Sequence, residues 1–278
     1  MMFEKRFEDC YVLFHNNILK IGNDKIERTW GFENKIPSVL SLKNKKNSRE
    51  WFTGQREEEN TTWPVYRSKW AFYKRDLLTD HDFKLQAAAF TDNDLGIGKE
   101  CLKVEITFDY GSAIIKWVHI IYPEEPIMRT YLTYHIIEKN RIRMNKDTLS
   151  SQVSESEASL REVLCEDFID FFPMKPKHCK WTSVTFNDKT DQHNNLVHTE
   201  EGLLYPYEND DLKGNLLFIR DNMTDEGITI VKEGPTPLAY QGDLSCDFQI
   251  KGNHIFSCGW GFSKNEMGQN EQMTTYGS

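Results

Sequence analysis

A polar cluster close to residue 190 carries the side chains best suited to chemistry in this sequence. Its members are Asp191, His193, Asn194 and Asn195. Carboxylate, imidazole and amide groups supply hydrogen-bond donors and acceptors that can reach pairs of sugar hydroxyls, and Tyr205 and Tyr207 are close enough in sequence to add an aromatic face. The cluster therefore predicts a substrate-binding site. The alternative is a loop held by hydrogen bonds from these side chains to its own backbone.

Two further segments contain candidate substrate-binding residues. Lys232 and Glu233 end an apolar strand, directly before Gly234 and Pro235, where the rim of a sheet could display them. Trp63 lies in the polar segment NTTWPVY, and its ring could stack on a sugar. The alternatives are a simple ion pair at the strand end for the first two residues, and packing onto its own domain for the tryptophan.

Arg129 lies within a strongly apolar segment, IMRTYLTYHII. A buried arginine must be paired with an acceptor. We expect a carboxylate such as Glu105 to hold it in a structural role, and the alternative is that it faces an interface.

Adjacent acidic residues do not by themselves predict catalysis. Hydrolysis of a glycosidic bond usually requires two carboxylates at a defined separation, and 43 acidic residues make accidental pairs inevitable. We expect the adjacent pairs to be solvated charges in turns, namely Glu200–Glu201, Asp210–Asp211 and Asp225–Glu226. No catalytic residue is predicted in this chain.

The histidines and cysteines do not suggest a metal or a cofactor. The eight histidines show neither H-x-H nor H-E-x-x-H spacing, and the six cysteines contain no C-x-x-C pair. Cys246 and Cys258 flank a candidate hairpin and could face each other. Buried free thiols are the favoured interpretation, because free cysteine is among the most buried residue types.

Alternation with a period of two residues dominates the sequence and predicts an all-β fold. In residues 101–108 the apolar side chains fall on one face and the polar ones on the other, which is typical of a strand with one solvated side. Together with residues 113–122 and 127–137, this strand predicts an antiparallel meander. Further strands are predicted at 26–32, 83–90, 180–186, 215–221, 227–233, 247–251 and 254–260, with a hairpin turn at 221–227.

About a dozen strands with little helical periodicity favour a large antiparallel two-sheet β-sandwich. The exception is residues 141–168, a polar and then briefly helical excursion in which Ser154 and Glu157 fit a capping box. We expect helix chiefly in residues 154–168.

Composition excludes some classes of partner. The chain has 278 residues, with 43 acidic against 34 basic residues and a net charge of −9, so its mean field repels nucleic acid and anionic membranes. No apolar run approaches the ~20 residues of a membrane span, and the N-terminal residues do not look like a signal peptide. We therefore expect a soluble protein, with its compartment open.

Three segments together resemble the N-terminal β-sandwich domain of α-galactosidase-like enzymes of glycoside hydrolase family 36. They are residues 23–52 (NDKIERTWGFENKIPSVLSLKNKKNSREWF), 117–134 (WVHIIYPEEPIMRTYLTY) and 188–241, which includes the polar cluster. The resemblance implies that residues 1–278 form one supersandwich domain of a longer enzyme. In that family the catalytic barrel, with its two carboxylates, follows this domain, and its motifs are absent here.

The resemblance implies an accessory domain that shapes the substrate pocket, is catalytically silent alone, and contacts a galactoside-like carbohydrate and its own barrel. His193, Asn194 and Asn195 are then expected at one rim, near Trp63 or Lys232, together with an exposed apolar patch. One alternative is an aldose-1-epimerase (mutarotase)-like enzyme that pairs a histidine with an acid. Its candidates are His119, His135 or His193 with Glu105 or Glu233. A free-standing carbohydrate-binding module is another, and the sequence leaves open whether the chain forms homo-oligomers.

Overall fold

The backbone consists of β-strands. The computed structural model describes residues 2–33, 36–51, 83–93, 98–109, 113–136, 168–169, 178–187, 196–205, 209–233, 247–251, 254–257 and 272–274. Within these ranges the chain forms nineteen strands and no α-helix. The described residues therefore also contain no helix able to cross a membrane.

The first ten strands are β1 (Phe3–Phe7), β2 (Cys10–His15), β3 (Ile18–Gly22), β4 (Ile26–Glu33), β5 (Ile36–Asn44), β6 (Arg49–Glu50), β7 (Phe83–Asp92), β8 (Lys99–Asp109), β9 (Ala113–Ile121) and β10 (Met128–Ile136). The remaining nine are β11 (Phe168–Ile169), β12 (Cys179–Asn187), β13 (Leu196–Leu203), β14 (Asn209–Leu212), β15 (Leu216–Asp221), β16 (Glu226–Val231), β17 (Phe248–Lys251), β18 (His254–Ser257) and β19 (Gln272–Thr274).

These strands pair into four antiparallel sheets. Sheet A has the order β1-β2-β3-β4-β5-β6, and sheet B the order β19-β10-β9-β8-β7. Sheet C has the order β11-β18-β17-β14, and sheet D the order β13-β12-β15-β16. The predicted all-β fold and the predicted meander β8-β9-β10 are both confirmed.

The turn between β2 and β3 shows how local sequence sets the pairing in sheet A. Asn16 and Asn17 both have positive φ, 50° and 59°. A two-residue hairpin loop with φ above zero at both positions is the type I′ turn, for which asparagine is well suited. The turn fixes the register in which His15 faces Ile18.

Two large hydrophobic cores lie between the sheets, and a smaller cluster of Cys101, Val118, Ile120 and Tyr122 lies on the other face of sheet B. The first joins sheets A and B and contains Trp30, Trp117 and the inward residues of β8, which are Leu102, Val104, Ile106 and Phe108. The second contains residues of sheets C and D together with Leu42 and Trp51 from the end of sheet A. Ile26 packs against both cores, so the two halves of this sandwich-like architecture meet beside it.

Some local predictions need correction. Glu200 and Glu201 belong to β13, and Asp210 and Asp211 belong to β14, so these acids are strand residues and not turn charges. The predicted hairpin turn between β15 and β16 is confirmed, with Asp225 at φ 63°. Glu226, by contrast, begins β16 and is paired with Arg49, so it is not a solvated turn charge. Of the excursion at 141–168, only Phe168 is described, within β11. The predicted helix otherwise lies outside the described residues.

Three of the six cysteines can be assessed. Cys10, Cys101 and Cys179 are buried free thiols, as predicted. Cys165, Cys246 and Cys258 lie outside the described residues.

Candidate functional site

A cleft of about 600 Å³ opens where the two cores meet. Its walls come from β4 and β5, from the residue after β6, from the connection into β10 and from β16. Its polar and aromatic lining residues include Lys25, Arg28, Lys43, Asn44, Trp51, Arg129 and Glu233. A volume of this size is typical of small-ligand sites in proteins.

Asn23 holds one rim of the cleft in place. Its side-chain amide donates to the carbonyl oxygens of Tyr122 (2.8 Å) and Glu125 (2.6 Å), and its side-chain oxygen accepts from the backbone N–H groups of Lys25 (2.8 Å) and Ile26 (3.0 Å). This buried amide therefore ties the β3–β4 turn to the β9–β10 connection, the two segments that meet at the rim.

Arg28 forms part of the cleft wall on β4. It shares a face of the strand with Ile26 and Trp30, and its guanidinium lies 4.8 Å from the centre of the Trp30 ring. The residue is only 4% exposed. A charged side chain is thus held between the cleft and the first core.

Arg129 and Glu233 form an ion pair across the cleft between sheets B and D. Arg129 Nε donates to both carboxylate oxygens of Glu233, at 2.7 and 2.9 Å, and Arg129 Nη1 lies 3.6 Å from Asp92 Oδ2. Tyr122 donates its hydroxyl to the same Asp92 oxygen. The side chains of Arg129 and Glu233 are 13% and 19% exposed, so the pair borders solvent in the cleft.

The expected partner of Arg129, Glu105, is bound elsewhere. Glu105 pairs with Lys103 at 2.9 Å and with Lys116 at 3.8 Å. The prediction that a carboxylate pairs Arg129 is correct, but its identity is wrong. Glu105 lies beside Lys103 on its own strand and beside Lys116 on the neighbouring strand, so the two lysines bind it. Arg129 is instead reached by Glu233, which lies just after the end of β16.

Trp51 is positioned by a second set of charges. The Arg49 guanidinium lies 4.0 Å from the centre of the Trp51 ring, and Arg49 donates to Asp221 at 2.5 Å and to Glu226 at 2.6 Å. Burial acts to raise the pKa of the Asp221 carboxyl, but hydrogen bonds from Arg49 and from the turn backbone outweigh it and lower that pKa. The arginine thus clamps the end of sheet A to the β15–β16 hairpin.

Lys232 is directed away from the cleft. Its ammonium donates to Asp247 Oδ1 at 2.5 Å, and both side chains are fully buried. The other Asp247 oxygen accepts from the backbone N–H of Gly214 at 2.7 Å. Gly214 has φ 135°, and a Cβ there would lie 2.5 Å from the Val184 carbonyl oxygen. This junction ties sheets C and D together.

Of the predicted site residues, the structure places only Lys232 and Glu233. It separates them, since Glu233 lines the cleft and Lys232 is sealed beneath the sheet. The other predicted binding residues, Asp191, His193, Asn194, Asn195 and Trp63, lie outside the described residues.

His119 does not pair with Glu105 as an epimerase would require. Its ring packs edge-on against Trp117 and at a tilt of 38° against Trp30, and its Nδ1 lies 3.0 Å from the Thr130 hydroxyl. Val104 is its cross-strand partner and Glu105 faces Val118, so the histidine and the acid occupy opposite faces of sheet B. Burial, reinforced by the charge of Arg28, lowers the pKa of His119 well below its ordinary value.

Arg28, Trp51 and Asn23 were not identified from the sequence. Arg28 could have been, because it lies inside a predicted apolar strand, and the reasoning applied to Arg129 applies equally to it. No comparable signal marks Asn23 or Trp51.

The described residues contain no group of three or more histidine, cysteine, aspartate or glutamate side chains placed to hold a metal ion. No protein-family model matches this chain, and no curated protein matches it either. The relation to glycoside hydrolase family 36 therefore stays a hypothesis that rests on the sequence segments quoted above.

Proposed function

We propose that this chain is a carbohydrate-recognition domain that accompanies the catalytic domain of an α-galactosidase-like glycoside hydrolase and does not hydrolyse substrate alone. The observation that carries the proposal is the cleft, which is bordered by the partly exposed Arg129–Glu233 pair and is lined elsewhere mainly by apolar residues. A partly exposed guanidinium–carboxylate pair can hydrogen-bond to the hydroxyl groups of a sugar, and the apolar lining can contact the carbon-bound face of its ring.

The acids of the cleft support a non-catalytic role. Among the described residues that line it, Glu233 is the sole carboxylate, and Arg129 Nε donates to both of its oxygens. Glycoside hydrolysis generally uses two carboxylates, one of which must exchange a proton. A single carboxylate held by an arginine is suited to binding a hydroxyl group.

The outer face of sheet D supports association with a neighbouring domain. Its exposed apolar side chains are Phe186, Val197, Leu203, Phe218 and Val231. The strand register places all five on the face opposite the second core. Exposed apolar surface of this kind often marks an interaction site, which is what a domain packed beside a catalytic barrel requires.

Titration of α-galactosides, followed by tryptophan fluorescence and by calorimetry, tests binding in the cleft. We expect saturable binding that Glu233→Gln weakens about tenfold, which corresponds to roughly 1.4 kcal/mol. Glu105→Gln is the matched control, because Glu105 is also ion-paired and of similar exposure (22%) but lies outside the cleft lining. Absence of binding, or equal weakening by both variants, would contradict the proposal.

The non-catalytic part of the proposal has its own test. We expect no release of aryl alcohol from an aryl α-galactoside above the uncatalysed rate. Turnover that one Asp or Glu substitution abolishes would show that the chain is an enzyme by itself.

A further inference from the structure

Strand β16 presents its edge to the cleft. Five consecutive residues of the strand, 227–231, line the cleft. Successive side chains of a strand point to opposite faces, so a cleft bordered by all five residues lies along the edge of the strand and not over one of its faces. Within the described residues β16 pairs only with β15, and its other edge is therefore one border of sheet D.

The register of the β15–β16 ladder shows which backbone groups point into the cleft. Lys232 N–H donates to the Asn215 carbonyl oxygen at 2.8 Å, so these residues continue the ladder as a hydrogen-bonded pair. Hydrogen-bonded and non-hydrogen-bonded pairs alternate along an antiparallel ladder. The N–H and C=O groups of Gly227, Thr229 and Val231 therefore point away from β15 and towards the cleft. In the described part of the chain, none of these groups has a hydrogen-bond partner.

This edge offers a row of hydrogen-bonding groups to a ligand. Each of the three residues presents a donor and an acceptor side by side, and a hydroxyl group can both donate and accept. From Gly227 to Val231 the edge spans roughly 13 Å, which is longer than one sugar ring. Beyond its end lie Arg129 and Glu233, whose opposite charges are paired with each other, and such a balanced pair suits a neutral ligand.

From this edge we infer that the ligand of the cleft is a neutral oligosaccharide of at least two rings, which lies along β16 and hydrogen-bonds to its backbone. The inference rests on the proposed function and specifies the ligand. The Arg129–Glu233 pair binds the hydroxyl groups of one ring. The next rings extend the hydrogen bonding to the backbone groups of Val231 and Thr229.

The second core disfavours a peptide strand at the same edge. A peptide that adds to a sheet directs alternate side chains to each face of that sheet. On the inner face of sheet D these side chains would meet Leu42 and Trp51, which line the cleft but are already packed in the second core at 7% and 4% exposure. An oligosaccharide has no alternating side chains and needs no such space.

Calorimetry of the full chain with galactose, α-galactobiose and α-galactotriose tests the length of the site. We expect affinity to rise at least about tenfold from galactose to galactotriose, because the additional rings gain hydrogen bonds to the strand edge. Galactobiose should lie between the two.

Thr229→Pro removes one N–H group of this edge. That group takes no part in the β15–β16 ladder, and proline is tolerated where a strand N–H points away from the sheet. We expect the affinity for galactotriose to fall about tenfold and that for galactose to change by less than about twofold.

Thr199→Pro is the matched control. Thr199 is likewise an exposed threonine, on β13 at the opposite edge of sheet D. The hydrogen bond from Leu204 N–H to the Cys179 carbonyl oxygen, at 2.9 Å, sets a register in which Thr199 N–H also points away from the sheet. This variant should change neither affinity.

Hydrogen exchange tests the same contacts in the unaltered chain, so it does not depend on whether a variant folds. Saturation with galactotriose should slow exchange at the amides of Thr229 and Val231, which gain hydrogen-bond partners. Exchange at Thr199 should stay the same.

The outcomes separate this inference from the proposed function. Equal affinities for galactose and galactotriose would overturn the inference and leave carbohydrate recognition standing. Binding of none of the three sugars would overturn both. Equal weakening by Thr229→Pro and Thr199→Pro, or unchanged exchange at Thr229, would overturn the placement along β16. Displacement of galactotriose by an extended peptide of alternating valine and threonine would show that the edge accepts a strand, which overturns the assignment to a sugar.

Discussion

Two neighbouring residues, Lys232 and Glu233, enter ion pairs of opposite character. Lys232 and Asp247 are fully buried and join sheets C and D, whereas Glu233 and Arg129 remain 19% and 13% exposed at the cleft. A sealed pair can act only on the fold, because no ligand reaches it. A pair that borders solvent can exchange hydrogen bonds with a ligand. Accessibility, and not residue type or sequence position, therefore distinguishes the structural pair from the candidate binding pair.

Removal of the buried ammonium is expected to have the largest effect. Lys232→Met leaves the Asp247 carboxylate buried without its counter-charge, and breaking a buried pair in this way costs about 3–5 kcal/mol. Urea unfolding followed by tryptophan fluorescence measures the loss. Lys180→Met is the matched control, since Lys180 pairs with the exposed Glu201, and such surface pairs contribute about 1 kcal/mol or less.

Removal of both charges tests the cause of that loss. Burial raises the pKa of the Asp247 carboxyl, and Lys232 and the Gly214 N–H offset the rise only in part. The double variant Lys232→Met/Asp247→Leu should therefore regain a large part of the lost stability, because no buried charge remains. A double variant as unstable as the single one would show that shape, not charge, holds the junction.

The Arg49–Asp221 pair, which is 15% and 12% exposed and so resembles the cleft pair, extends the comparison to the pH dependence of stability. The folded-state pKa of Asp221 lies below its ordinary value of 3.8, so its contribution is present above that value and is lost as pH falls through the folded pKa. Asp221→Asn should cost about 1 kcal/mol at pH 7 and should flatten the stability curve below pH 4. Parallel pH curves for the two proteins would contradict this assignment.

Glu233→Gln should have a small effect on the fold. In this variant Arg129 still has the Asp92 carboxylate as a partner, 3.6 Å away, and the Arg129–Glu233 pair borders solvent. We therefore expect the free energy of unfolding, measured in the same urea experiment, to fall by less than about 1 kcal/mol. A loss as large as that of Lys232→Met would remove the contrast between the two pairs and assign Glu233 to the structure.

The last prediction concerns the three buried thiols, Cys10, Cys101 and Cys179, and tests only whether solvent reaches them in the folded protein. Burial is the main cause that raises the pKa of Cys10 to about 12 and of Cys101 and Cys179 to about 11. The thiolate is the reactive form, so alkylation at pH 8 should reach these three cysteines only after unfolding. Peptide-resolved mass spectrometry measures this, and rapid labelling of the native protein would show that the cores open.

The strands and turns that could be predicted from the sequence are those determined by a few neighbouring residues. Alternation in residues 101–108 identified β8, and the Asn- and Asp-rich turn at 221–227 identified the β15–β16 hairpin. Strands β1, β2 and β3 were missed, although Asn16 and Asn17 carried the signal for the hairpin between two of them. Strands β13 and β14 were also missed, because the adjacent acidic pairs Glu200–Glu201 and Asp210–Asp211 interrupt the alternation of apolar and polar residues.

The cleft could not be predicted, because it is assembled from segments far apart in sequence. Residues 25–51, 126–129 and 227–233 meet only once two pairs of sheets have packed. Arg129 was identified as a paired residue, but the choice of Glu233 over Glu105 depends on where the end of β16 lies. Periodicity predicts on which side of its own strand a side chain lies, but not which other strand packs against that side.

Sheet B is completed by a strand from the far end of the chain, since Thr133 of β10 pairs with Thr274 of β19. Strands β7 to β10 can pair with one another as soon as they are synthesised, whereas β19 arrives only after more than a hundred further residues. Until then the outer edge of β10 presents unpaired backbone groups, which can template pairing between molecules. Chains truncated before residue 272 should therefore self-associate more than the full chain in light-scattering measurements. The short strand β19 therefore covers part of a sheet edge at which two molecules could otherwise pair.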